Sequence, residues 1–291
     1  MQIVTWNTQW CRGLDGRVDV ARIVREALAL GDVDALCLQE IAANYPGLAG
    51  APGDQVAQVQ AALPAGWQLF FGAAMDSWGP AGRQRFGNLI ATRLPVRQVQ
   101  HHALPYPADA GVRSMPRMCT QLTVQDPALG LVRLMTTHLE YFSKPQRMAQ
   151  ALALRALHLQ ACAQAACPPQ AAQDGSPFQD QPHTRHAVLC GDFNLQAHEP
   201  EYAALAAPLS AAEAQGWADS GLVPLHDAWQ VLHPGQSQPP TFCVFDASYS
   251  PTPVACDFMW VSDSLRGHVR AMAVNWQTQS SDHQPLWLQL S

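Results

Sequence analysis

The sequence predicts an α/β protein built from two β-sheets flanked by helices. Three observations predict it. Short apolar runs stop at polar residues, as buried strands do. Other segments place apolar residues at helical spacing. Proline- and glycine-rich stretches separate them.

The first strand reads as Ile3 to Trp6 and ends at Asn7. A helix follows over Asp19 to Leu30: Val20, Ile23, Val24, Ala27 and Leu28 share a face, Asp19 caps the start and Gly31 stops it. Val33 to Leu38 is a strand that ends at Glu40. Leu131 to Leu139 is a strand carrying His138, and Pro145 to Ala166 is a long Ala/Leu-rich helix with Pro145 tolerated in its first turn. Residues 167–184 read as a mobile loop. His186 to Cys190 is a strand leading into Asp192 and Asn194. Residues 207–240 read as irregular, because Pro208, Pro224, Pro234, Pro239 and Pro240 fall there. Pro240-Thr241-Phe242 precedes a strand opened by Asp257 and is expected to line a site. Val269 to Trp276 and Leu286 to Leu290 are expected to finish the second sheet.

Composition bounds the rest. The chain has 291 residues, enough for one large domain or two small ones. Candidate site residues run from position 7 to position 283, which favours a single domain over 1–291 with a shared site. No apolar run of about eighteen residues occurs, so no membrane span is expected. Met1 to Trp6 lacks a basic segment followed by an apolar one, so no export signal is expected. Eight cysteines include Cys37 and Cys190 inside strand runs, and there is no Cys-x-x-Cys. The expectation is reduced core thiols, no structural zinc, a cytoplasmic location and, by default, a monomer. The net charge is −6, with Lys144 the single lysine against sixteen arginines, which disfavours tight binding along duplex DNA. Arg83, Arg85, Arg113, Arg117, Lys144 and Arg147 are the local cations, either a substrate face or solvated surface. Eight of the nine tryptophans (10, 67, 78, 217, 229, 260, 276 and 287) default to the core, with Trp78 as a candidate contact for a base or an apolar substrate group.

The chemistry lies in five short segments: Thr5-Trp6-Asn7, Leu38-Gln39-Glu40, Thr136-Thr137-His138-Leu139-Glu140, Gly191-Asp192-Phe193-Asn194-Leu195 and Ser281-Asp282-His283-Gln284-Pro285-Leu286. Asn7, Glu40, Asp192, Asn194 and Asp282 offer oxygen, which selects Mg2+ or Mn2+ rather than zinc. Several follow strand runs, where ligands of sheet proteins gather. Asp192 and Asn194 are two apart, so in extended chain both point to one side and can act on one water. Taken singly, each residue has a plainer reading. Asn7 suits a turn, Asp282-His283 a polar loop, and His138 a half-buried strand position.

Together, in this order, the segments resemble the endonuclease/exonuclease/phosphatase superfamily of metal-dependent phosphoesterases. Gly87-Asn88-Leu89-Ile90-Ala91-Thr92 and Cys256-Asp257-Phe258-Met259-Trp260-Val261-Ser262 match further elements of it. The resemblance implies a four-layer α/β sandwich with two mostly antiparallel β-sheets packed face to face. It implies that Glu40 is the principal metal ligand, with Asn7 and Asp282 beside it. Asp192 is then the base that activates water, and Asn194 positions the attack or holds phosphate. His283 contacts the phosphate and Asp257 orients it. His138 is an acid toward the leaving oxygen or a donor to phosphate, with Asn88 near it. Arg117 faces phosphate, with Arg113 as its competitor. A histidine at 138, where abasic-site endonucleases carry tyrosine, argues against that subfamily. The expected activity is Mg2+-dependent phosphodiester hydrolysis, most simply on nucleic acid or a DNA end. A phospholipid or an inositol or sugar phosphate is the alternative substrate, and an inactive binding module the least favoured reading. A basic cleft would favour the first, and an apolar rim around a small basic pocket the second.

Overall fold

The apolar runs pair into two six-stranded sheets in the computed structural model, which describes residues 1–80, 82–179, 181–210 and 221–291. The first sheet contains β1 (Gln2–Asn7), β2 (Ala35–Ala43), β3 (Gln68–Gly79), β4 (Gly82–Thr92), β11 (Val269–Val274) and β12 (Leu286–Leu290), in the order β11-β12-β1-β2-β4-β3. The second contains β5 (Val96–Ala103), β6 (Met118–Asp126), β7 (Gly130–His138), β8 (Ala187–Asp192), β9 (Leu225–Asp227) and β10 (Asp257–Ser262), in the order β5-β6-β7-β8-β10-β9. Most neighbours are antiparallel. Each sheet has one central parallel pair, β1 with β2 and β7 with β8.

Burial on both faces explains the continuous apolar strands. Along β1 and β2, Ile3, Ala35 and Cys37 face the other sheet and meet Leu134, Val188 and Met259. Val4, Trp6, Leu36 and Leu38 face outward and are covered by Ile23 of α1 (Val20–Leu28) and Val59 of α2 (Gln55–Ala62). Behind the second sheet, Leu189 and Trp260 pack with Leu154 of α3 (Lys144–Ala166) and Leu205 of α4 (Pro200–Ala206). The result is the expected four layers. Asp19 caps α1 by accepting from Arg22 N, and Ser143 caps α3 by accepting from Gln146 N.

Several boundaries differ from expectation. Helix α1 stops at Leu28, short of Gly31. Strand β2 does not end before Glu40 but runs on to Ala43, with Glu40 at an irregularity in its pairing with β4 and in a left-handed conformation, φ 59°. The last two strands complete the first sheet rather than the second. β12 pairs antiparallel with β1, because the chain returns across the sandwich to cover the open edge of the N-terminal strand. Within 207–240, β9 and α5 (Ala228–Leu232) are regular despite the prolines, which flank them without interrupting their hydrogen bonds. A last short helix, α6, spans Asp263–Arg266. Trp260 is core as expected, but Trp78 and Trp276 are largely exposed; Trp217 lies outside the described residues.

Candidate active site

The two parallel pairs point their carboxyl ends to the same side of the sandwich, and the site forms there. In the second sheet, register aligns three site residues in one row: His138 opposite Asp192, and Asp192 opposite Asp257. Gly191 makes this row possible. Its φ is 141°, and any side chain there would run into the carbonyl oxygen of Thr137. In the first sheet, Asn7 pairs with Gln39, which brings Asn7 beside Glu40. The Ser281-Asp282-His283 turn is pinned onto β1 by two bonds: Ser281 Oγ donates to Asn7 O at 2.8 Å, and Trp6 Nε1 donates to His283 O at 2.9 Å.

These constraints put acids, amides and histidines around one opening of about 300 Å³, lined by Glu40, His138, Asp192, Asn194, Asp282 and His283 among others. Asn7 Nδ2 donates to Glu40 Oε1 at 3.2 Å and to Asp192 Oδ2 at 2.9 Å. Its Oδ1 accepts from Gln9 N. Asp192 Oδ1 accepts from Asn194 N at 2.8 Å, which fixes the carboxylate. Asn194 is not in extended chain, as its spacing from Asp192 suggested; its φ is 50°. Both hydrogens of its amide are engaged, with His138 Nε2 and Leu139 O, each at 2.9 Å.

The two histidines carry opposite proton affinities. Burial pushes the pKa of His138 down to about 3, with Arg117 adding to the effect, so its ring is neutral. Burial also opposes a charged His283, but the nearby carboxylates of Asp257 and Asp192 outweigh it and hold its pKa well above the usual value. His283 Nδ1 sits 2.9 Å from Asp257 Oδ2, and Nε2 lies 3.7 Å from Asp192 Oδ2. Phe242 stacks on this ring at 4.4 Å, so the Pro240-Thr241-Phe242 segment does line the site.

Glu40 and Asp282 are crowded. Burial first, and the Asp282 carboxylate second, raise the pKa of Glu40 to about 7. Burial raises that of Asp282 as well. Half-buried carboxylates with excess negative charge, beside the buried Asn7, fit a hard divalent cation, which would neutralise them. Glu40, Asp282 and Asn7 are the residues that would hold it.

Arg117 reaches the site just before β6, and its Nε donates to Glu140 Oε2 at 3.1 Å. Arg113 lies exposed on the rim with its guanidinium 5.4 Å from the Phe142 ring centre. Asn88 is buried in β4 and donates to Met118 O, so its amide ties the two sheets together beneath the opening. Of the other cations, Arg83 is paired with Asp76, Lys144 with Glu199, and Arg147 with Glu199 and Glu201.

Three residues escaped the sequence reading. Glu140 is fully buried and accepts from Arg117 Nε, Met115 N and Phe142 N, so it joins two site loops. Gln9 Nε2 donates to Asp282 Oδ2 at 2.8 Å. Gln39 Nε2 donates to Thr136 Oγ1 at 2.8 Å across the two sheets. Only Glu140 carried a visible signal, as an acid two positions after His138.

A four-layer sandwich with an oxygen-donor floor, one neutral histidine and one charged histidine defines a metal-dependent phosphoester hydrolase. The chain matches the model of the Endonuclease/Exonuclease/phosphatase family over residues 4–283 and belongs to that family. Its members depend on divalent metal ions. No curated protein matches. Among solved structures, an endonuclease/exonuclease/phosphatase from Beutenbergia cavernae is similar at 22% identity and TM-score 0.66, over 100% of this chain and 72% of that one. Mannosyl-6-phosphatase Bt3783 of Bacteroides thetaiotaomicron is similar at 17% identity and TM-score 0.65, over 100% and 99%. D. rerio TDP2, complexed with single-strand DNA product, is similar at 18% identity and TM-score 0.59, over 100% and 98%.

Proposed function

We propose that this enzyme hydrolyses phosphodiesters of short or chain-terminal substrates, a nucleic-acid end foremost, with Mg2+ as its metal and Mn2+ as a substitute. One observation carries the restriction to small or terminal substrates. The acidic floor opens between aromatic walls, and besides the charged His283 only Arg113 and Arg117 among the described cations line it. A protein that grips a long duplex needs many phosphate contacts.

The metal, when bound, offsets the charge that develops on the phosphate. Asp192 takes the proton from the attacking water, its carboxylate aimed by Asn194 N. His283, kept charged by Asp257, donates to a phosphate oxygen. Neutral His138 is held by Asn194 beside the same opening, and Arg117 faces the phosphate from the opposite wall. The eight unpaired thiols, seven of them buried, support a reducing compartment such as the cytoplasm. No described helix is long and apolar enough to cross a membrane.

The test is cleavage of end-labelled single- and double-stranded oligonucleotides with Mg2+, wild type beside Asp192→Asn. The expected result is cleavage from single-stranded or frayed ends, reduced about 10^2- to 10^4-fold in the variant. No cleavage by folded wild type would overturn the reading. A second reading, hydrolysis of a phospholipid or a sugar phosphate, draws support from the rim itself, where apolar side chains outnumber cations.

A further inference from the structure

Beside the catalytic opening lies a second cavity of about 390 Å³, joined to it through Trp10, Glu40, Arg113, Arg117, His138 and Phe142. Its walls include Trp10, Tyr45, Met75, Phe86, Met115 and Phe142. Met75 and Phe86 are cross-strand partners on β3 and β4, and Tyr45 meets Phe86 edge-on at 6.2 Å. Two of the side-chain donors around it are committed elsewhere. Trp10 Nε1 donates to Ala49 O, and Ser114 Oγ pairs with Tyr106 OH. The cavity therefore offers rings and thioethers, with Arg113 at its mouth.

The backbone that presents Trp10 is strained. Gln9, Trp10 and Cys11 are consecutive non-glycine residues with φ of 47°, 42° and 58°. Such conformations persist only where the surroundings enforce them, and they concentrate at functional sites. Here the turn is clamped by Gln55 Nε2, which donates to Trp10 O, and by the Trp10–Ala49 bond. This turn sets an indole at the seam between the two cavities.

We infer that this cavity is a stacking site for an unpaired nucleobase whose own phosphate lies over the acidic floor. The inference rests on the phosphodiesterase reading and narrows it to single-stranded or frayed nucleic acid, bound without sequence preference. Every base has a π-face to stack on rings, whereas reading base identity needs free donors and acceptors. A base still paired in a duplex cannot enter a walled cavity. Continuity with the catalytic opening, and two arginines placed for the phosphate, favour a nucleotide over an uncharged apolar group.

The test measures binding and turnover separately. Fluorescence anisotropy in Ca2+ would compare labelled (dT)6, (dA)6 and an abasic hexamer of the same length. Wild type is expected to bind the two base-bearing oligomers within a few-fold of each other and the abasic one about 5- to 150-fold more weakly. Trp10→Ala is expected to collapse that ratio toward one. Met75→Trp, which fills the cavity and leaves the strained turn alone, is expected to do the same. Equal affinity for abasic and base-bearing oligomers overturns the inference, as does a preference that survives both substitutions. Displacement of (dT)6 by octyl phosphate in preference to thymidine monophosphate also overturns it, in favour of an alkyl occupant. Hydrolysis in Mg2+ reports on the phosphodiesterase reading itself. Base-selective binding without cleavage would sink that reading while the cavity assignment stood.

Discussion

Glu40 concentrates the chemistry of this chain at one residue. It lies in a left-handed conformation at a strand irregularity, among acids whose charge it cannot easily share. Glu40→Gln removes the charge and keeps the shape. The metal concentration for half-maximal activity is expected to rise about 10- to 100-fold, measured by titrating Mg2+ at fixed substrate. Glu140 acts through another residue. Glu140→Gln keeps one acceptor oxygen, for Phe142 N, but puts an amide NH2 where Oε2 accepted from Met115 N and Arg117 Nε, so the Arg117 guanidinium loses its counter-charge. Arg117 is then free to shift from the phosphate. KM is expected to rise about tenfold, the equivalent of 1.4 kcal/mol, with kcat changed less. A fall in kcat at constant KM would show that Arg117 acts only in the transition state.

At the scale of elements, the β7–β8 parallel pair is the critical one, since it aligns His138 with Asp192. Gly191 permits the close approach. Gly191→Ala forces a methyl group against Thr137 O in a backbone region that alanine avoids. A loss of about 1–3 kcal/mol is expected from overpacking alone. The check is the urea midpoint, together with activity: if the pair is forced apart, activity falls further than stability predicts. A neutral result would mean that β7 and β8 tolerate separation and that the register row is held from elsewhere.

For the whole molecule, the buried Arg133–His158 contact couples stability to pH. Arg133 Nη2 donates to His158 Nδ1 at 2.9 Å, and His158 Nε2 lies 2.8 Å from Val223 O, joining β7 and α3 to the segment ahead of β9. Burial first, and the Arg133 guanidinium second, push the pKa of His158 down to about 3. The unfolded chain protonates the same ring near 6.5. Between those values the unfolded state binds the extra proton, so stability is full above about pH 6.5 and falls as pH drops toward 3. His158→Gln is expected to flatten this slope, read from urea midpoints at pH 7, 6 and 5. An unchanged slope would mean that other groups dominate the acid response.

The sequence by itself determined the family, the two-sheet plan and the polar residues that the fold gathers at one opening. Those features are local. Apolar runs bounded by polar residues mark strands wherever they fall, and Asn7, Glu40, Asp192 and Asp282 are oxygen donors in any context. The tertiary structure decided what depends on distant pairing. It placed β12 against β1, which carries His283 to the floor of the first sheet although 275 residues separate Asn7 from Asp282 in the chain. It left one of two chemically identical histidines neutral and the other charged, through burial at His138 and the carboxylates around His283. It turned Trp10 from an ordinary core candidate into the wall of a second cavity, and left Trp78 far out on the β3–β4 hairpin. Hydrogen bonds, charge coupling and cavity walls arise between residues far apart in the chain, and a linear pattern names the partners without bringing them together.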